Sequence, residues 1–299
     1  MNQDLNTTRR NRMVRQFGDF IIDKELWRSE QSTVYLARAA REKCAIALKV
    51  LYPRAPHTIK EILRGASREA AILREIKHEN IVPLYRAGEF EGVPYLSFLF
   101  IQGLGLDQIL KNRRPEPAEV LAWMSAVARA VHHAHGKGIF HRDLKPRNIL
   151  IDDAGKPHVL DWGLAWRKGD ISEKGVQKII GTPAYMSPEQ ARGEEERLTP
   201  AADVYSLGAI LYQLVTGKPP FEAETSWKTL QMAMSLPPQP PTELNSALDP
   251  RIEKVIMTCL SKDPGQRYSS AGALADDIDR VIENKEPRGP GGLLGRLFS

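Results

Sequence analysis

His141-Arg142-Asp143-Leu144-Lys145-Pro146-Arg147-Asn148 is the stretch on which the reading of this chain turns. A carboxylate, Asp143, stands five residues ahead of an amide, Asn148, with an ammonium group, Lys145, between them. This set suits phosphoryl transfer. A carboxylate accepts the proton of an attacking hydroxyl, an amide oxygen ligates Mg²⁺, and an ammonium offsets charge building on the moving group. The plain structural alternative is a salt-bridged surface loop.

Working outward, the loop lies between a helix and a short strand. Upstream, Pro117 opens a helix in which Val120, Met124, Val127 and Val131 recur at helical period until Gly136. Downstream come two short strands, at 148–153 and 157–162, and a long polar connection from Arg167 to Gln190. Thr199-Pro200 then starts a helix, apolar on most sides, that ends at Gly217; two more helices are expected at 249–261 and 270–284. Residues 20–94 read differently. Five short runs rich in β-branched and aromatic residues surround one helix, on which Ile62, Ala66, Glu69, Ala70 and Leu73 share a face. The expectation is an α+β protein with a small β-rich lobe followed by a larger, mainly helical one.

The chain has 299 residues, 42% hydrophobic and 26% charged, which is ordinary for a soluble globular protein and argues against wholesale disorder. Its 42 basic and 37 acidic side chains leave +5, too slight an excess to call for nucleic acid. Cys44 and Cys259 are too few for a disulfide framework and lack the companions of a zinc site. The most apolar run, Pro94 to Leu106, falls short of the roughly 20 residues a bilayer requires. The N-terminus carries arginines without a following apolar core, so it does not read as a secretory signal, and a cytoplasmic location is expected. Residues 1–19 read as a basic arm and 285–299 as a flexible Gly/Pro-rich tail. His132, His133 and His135 read as a solvated or packed helix end rather than as metal ligands.

Over about residues 20–284 the chain resembles the eukaryotic-type (Hanks-type) serine/threonine protein kinases, particularly those of bacteria. The eight-residue match at 141–148 argues against the salt-bridged loop. The resemblance implies a bilobal kinase fold with an N-lobe at about 20–98, a hinge at 99–103 and a C-lobe at 104–284. It implies Asp143 as base, Lys145 as the phosphate-facing lysine, and Asn148 and Asp161 as ligands of Mg²⁺, for which Mn²⁺ can substitute. Asp161-Trp162-Gly163 stands in the Asp-Phe-Gly place. Lys49 falls where the α- and β-phosphates of ATP are held, with Glu69 as its ion-pair partner. Adenine is expected between Val34 and Ala47 above and Leu150 below, with Phe98 as gatekeeper and hydrogen bonds from the backbone of Leu99 and Ile101.

In the segment Gly181–Gln190, the resemblance implies that Thr182 sits near Asp143 and Lys145, a mark of serine/threonine specificity. It pairs Glu189 with Arg267 and makes Asp203 the brace of the catalytic-loop backbone. Arg142 suggests control by activation-loop phosphorylation, with Ser172 the only hydroxyl between Gly163 and Gly181. Protein substrates are implied, the chain itself among them, with an activating homodimer as a further partner and no nucleic acid.

One motif departs completely. Trp27, Ser29 and Ser32 stand where the family has the three glycines of its phosphate-covering loop. Glycine suits such a loop because backbone amides must approach phosphates in conformations that a Cβ resists. Strain of about 1–3 kcal/mol is therefore expected, weakening nucleotide binding roughly ten- to a hundredfold, partly offset by the hydroxyls of Ser29, Ser32 and Thr33. Two readings follow: an active kinase with a weakened lid, or a pseudokinase serving as a nucleotide-binding or scaffolding module. The complete set of Lys49, Glu69, Asp143, Asn148 and Asp161 favours the active enzyme.

Overall fold

The computed structural model describes residues 16–39, 44–52, 58–167, 181–194 and 198–290. Two compact units divide the chain, one from residues 1–77 and 82–101, the other from 78–81 and 102–299. The first is a sheet with one helix and the second is mainly helical, the α+β composition that the patterning predicts.

In the smaller unit, strands β1 (Gln16–Phe17), β2 (Phe20–Arg28), β3 (Ser32–Ala39), β4 (Ala45–Leu51), β5 (Leu84–Phe90) and β6 (Val93–Leu99) form one antiparallel sheet in the order β1-β2-β3-β4-β6-β5. Side chains alternate across it. Ile46, Leu48 and Val50 of β4 join Phe20, Ala37 and Ala39 in a buried core, which puts Ala47 and Lys49 on the opposite face. Helix α1 (Ile59–Glu75) starts at Thr58, whose hydroxyl accepts from the Glu61 N–H while the Glu61 carboxylate accepts from the Thr58 N–H. Within the stretch expected as a basic arm, Gln16 and Phe17 pair with Ile21 and Phe20, so among the described residues the sheet includes Gln16.

The larger unit runs through β7 (Gly103–Gly105), α2 (Leu106–Asn112), α3 (Pro117–His135), β8 (Ile139–Phe140), β9 (Ile149–Asp152), β10 (Pro157–Val159), β11 (Trp166–Arg167), α4 (Pro188–Ala191), α5 (Pro200–Thr216), α6 (Ser226–Ser235), α7 (Pro241–Leu244), α8 (Pro250–Cys259) and α9 (Ala271–Ile282). β10, β9 and β7 pair in that order, and β11 pairs with β8, so the stretch His141–Asn148 lies between two anchored strands. Thr199 caps α5, and Gly217 ends it in the left-handed conformation, φ 86°. α5 is buried on nearly every side. A Cβ on Gly208 would lie 2.3 Å from the Cβ of Cys259, so only glycine permits this approach to α8. Burial pushes the Cys259 thiol well above its ordinary pKa and leaves it unreactive.

The tail boundary at residue 284 also shifts. Asp277 on α9 accepts hydrogen bonds from the backbone N–H groups of Arg288 and Gly289, each at 2.8 Å, and so holds the chain several residues further. Residues 291–299 lie outside the described residues. Among the described residues no helix is long and apolar enough to cross a membrane.

Candidate active site

β8 delivers the chain to His141, and a single 3₁₀ turn over Pro146–Asn148 returns it to β9. Within this loop Asp143 is 8% exposed, and its two carboxylate oxygens have different partners. Lys145 Nζ lies 2.6 Å from Oδ2, and the Thr182 hydroxyl donates to Oδ1 at 3.1 Å. Lys145 also donates to Thr182 Oγ1 at 2.9 Å, closing a triangle of carboxylate, ammonium and hydroxyl. Asn148 donates through Nδ2 to the Asp143 carbonyl at 2.8 Å, which turns its amide oxygen away from that bond. That oxygen and the exposed carboxylate of Asp161 are the hard donors an Mg²⁺ ion prefers, so the residues present fit the metal.

Asp161 is tied to the same loop through its neighbours. The Leu160 N–H donates to Asn148 O at 2.8 Å, and the Leu160 carbonyl lies 3.0 Å from His141 Nε2. Trp162, in the place of phenylalanine, is 1% exposed, with its ring 4.6 Å from that of His141. Its indole N–H finds no partner among the described residues.

Asp161 and Arg142 both adopt positive φ, 54° and 68°, a conformation that costs a residue with a Cβ about 1–2 kcal/mol. Arg142 is held there by Asp203, from the first turn of α5. One carboxylate oxygen accepts from the Arg142 N–H at 2.9 Å, the other from the His141 N–H at 2.8 Å, and His135 Nε2 donates to it at 2.8 Å. Burial opposes the charge on Asp203, yet these donors outweigh it and hold the carboxyl below its ordinary pKa. Glu189 and Arg267 form a bidentate pair at 2.8 and 2.9 Å, both buried. Arg267 also donates to the carbonyls of Ala201, Ser261 and Lys262, so its remaining three donors are satisfied.

In the smaller unit Lys49 Nζ reaches both oxygens of Glu69, at 3.3 and 3.4 Å, with the side chains 16% and 5% exposed. Strand register places Trp27 opposite Val34, Val34 opposite Lys49, and Ala47 opposite Phe98, so these residues share one face of the sheet. The Leu99 N–H donates to the Pro83 carbonyl at 3.4 Å. Ile101 follows, half-buried, at the end of this unit, while Leu150 sits half-buried on β9 of the larger one.

The hairpin between β2 and β3 corrects the expectation of strain. The Ser29 N–H donates to Ser32 O at 2.8 Å, and the Ser29 hydroxyl accepts from the N–H groups of Ser32 at 3.0 Å and Gln31 at 3.3 Å. The described residues with a Cβ and positive φ are Glu91, Arg142, Asp161 and Asn284, none of them in this hairpin. Hydroxyl-capped turn chemistry closes it in ordinary backbone conformations. The same contacts engage the Ser29 and Ser32 hydroxyls with each other, 3.2 Å apart, rather than leaving them free for phosphate.

Ser172 lies outside the described residues. Sequence reasoning overlooked His135 as a partner of Asp203. It also overlooked Gln190, whose side chain donates to the Arg142 carbonyl at 2.8 Å. The triplet His132, His133 and His135 did carry a signal, but one that drew attention to metal binding.

Comparison with known proteins points one way. The family model described as "Protein kinase domain" matches residues 20–278. The chain is 34% identical to the serine/threonine-protein kinase PknB of Mycolicibacterium smegmatis over 269 residues, covering 87% of this chain and 42% of that protein. It is 35% identical to a probable serine/threonine-protein kinase of Corynebacterium efficiens over 232 residues, covering 74% of this chain and 35% of the relative. A probable serine/threonine-protein kinase of Clostridium acetobutylicum is 31% identical over 264 residues, 88% of this chain and 40% of its own length. The chain thus spans about two fifths of the length of these curated relatives.

Proposed function

Because the chain belongs to the protein kinase family, we propose that it transfers the γ-phosphoryl group of ATP to serine and threonine hydroxyls of proteins, itself included. The observation that carries this reading is the Asp143–Lys145–Thr182 triangle beside Asn148. In the reaction the substrate hydroxyl oxygen forms a bond to the γ-phosphorus, the bond from that phosphorus to the bridging oxygen breaks, and ADP leaves. Asp143 accepts the hydroxyl proton, and Lys145 offsets charge on the transferred group. Asn148 and Asp161 hold Mg²⁺ (or Mn²⁺), which when bound shields the phosphate charge. Lys49, oriented by Glu69, holds the α- and β-phosphates; Val34, Ala47 and Leu150 face the adenine, with Leu99 and Ile101 at its edge.

Thr182 beside the base supports hydroxyl acceptors of the serine/threonine kind. The substrates on this reading are cytoplasmic proteins, a homodimer is the activating assembly, and Arg142 takes the phosphate of Ser172. The pseudokinase reading draws no support from the relatives, which are named as serine/threonine-protein kinases or probable ones.

Transfer of label from γ-labelled ATP with Mg²⁺ to the protein itself and to a generic basic protein tests the proposal. Asp143→Asn is expected to lower the signal by about 10²–10⁴-fold. Equal labelling by wild type and variant would refute it.

A further inference from the structure

Consecutive peptide groups of the catalytic loop are gripped from outside their own bonds. Asp203 takes the N–H groups of His141 and Arg142, as described above. The next link, between Arg142 and Asp143, is gripped at both ends. Its N–H donates to His141 Nδ1 at 3.3 Å, and its carbonyl oxygen accepts from Gln190 Nε2 at 2.8 Å. A peptide group is planar, so restraining its oxygen and its nitrogen sets its rotation, and with it the direction in which the Asp143 side chain leaves the backbone. The restraint is needed here, because Arg142 sits at φ 68°, a conformation that residues with a Cβ readily leave.

Gln190 is itself oriented. Its Oε1 accepts from the Ser187 hydroxyl at 3.0 Å and the Ser187 N–H at 3.2 Å, which turns the NH₂ group toward Arg142. Ser187 caps α4, and Gln190 is buried beside Glu189, whose pairing with Arg267 seats the same turn. Every link from Arg267 to Asp143 is therefore a described hydrogen bond or a chain neighbour.

We propose that Gln190 is a positioning residue that sets the rotation of the Arg142–Asp143 peptide, so that the aim of the Asp143 carboxylate depends on the seating of residues 187–191. This rests on the kinase reading for its catalytic consequence but not for its structural one.

The test uses the full chain with Gln190→Met, which keeps length and lacks the donor, and Gln190→Glu, which sets an oxygen against the Arg142 carbonyl. In steady-state phosphotransfer, kcat is expected to fall about tenfold in Gln190→Met and further in Gln190→Glu, while KM for ATP stays within twofold. Ser187→Ala, which frees the Gln190 amide to turn, should give a smaller loss. Added to Gln190→Met it should give no further one, a non-additivity that a general loss of packing would not produce. Amide exchange of Arg142 and Asp143 should accelerate at least tenfold in Gln190→Met. A kcat within twofold of wild type in Gln190→Met overturns the proposal whatever the exchange shows. If the wild type transfers no phosphate, the kinase reading fails by itself, and unchanged exchange at residues 142 and 143 is then what overturns the positioning role. If Gln190→Met does not fold, additive losses in Ser187→Ala combined with Gln190→Glu overturn it.

Discussion

The hairpin around Ser29–Ser32 and the loop His141–Asn148 both bring polar backbone to a sheet margin, yet they are held in opposite ways. The hydrogen bonds that Ser29 makes in the hairpin run between residues two or three apart, with one further bond from the Tyr52 N–H to the Gln31 carbonyl at 2.8 Å. The loop is held by Asp203 and Gln190, 62 and 48 residues away. The hairpin contains no left-handed residue, whereas the loop holds Arg142 at φ 68° and Asp161 follows it at 54°. A turn written in its own few residues can change without disturbing its surroundings. A loop strained by its conformation exists only while the folded unit imposes it.

Breaking the distant supports should therefore cost far more than editing the hairpin. Arg267→Met leaves Glu189 charged and buried without its partner, and is expected to destabilise by about 3–5 kcal/mol, read from the urea midpoint at constant m-value. Acid sharpens the same contrast. The Asp203 carboxyl is depressed in the folded chain, so its contribution to stability is complete above the ordinary value of 3.8 and disappears as the pH falls through the lower folded value. Asp203→Asn should flatten that acid limb of the stability profile, and an unchanged slope would show the charge to be irrelevant. At the other extreme, Ser29→Ala removes one hydroxyl acceptor from a turn, for an expected loss of about 0.5–1.5 kcal/mol in thermal unfolding. Ser32→Gly should change the melting temperature least, and should leave the shift produced by Mg·ATP within about threefold in apparent affinity, since no strained backbone is there to relieve.

The same contrast explains what could be read from the residues in order. The five longer strands of the smaller unit, the cap at Thr199, Pro117 and Gly217 are local statements, and the structure follows them within about three residues. α2 and α7 went unread because 7 and 4 residues hold too few turns for a periodic apolar stripe to stand out, whereas α6, as long as α8, buries only Thr229, Leu230 and Ala233 and lacks the stripe that Ile252, Val255, Ile256 and Cys259 give α8. Asp143, Lys145 and Asn148 were legible because their spacing is short. Gln190 was not, because a glutamine announces nothing until the fold brings it to the Arg142 carbonyl. The left-handed backbone of Arg142 and Asp161 was equally hidden, since neither is glycine or asparagine. At the hairpin the error ran the other way: replacing glycines was read as stored strain, where serine hydroxyls had supplied another way to close the turn.

Gly208 carries one more consequence. It lies five residues beyond Asp203 on the same helix, against the Cys259 side chain. Sliding α5 by one residue, about 1.5 Å, would carry a side chain into that gap and collide with α8. The missing methyl thus acts as a detent: it indexes the helix lengthwise, and the anion that braces the loop is delivered at its proper height by an absence of atoms further along the same rod.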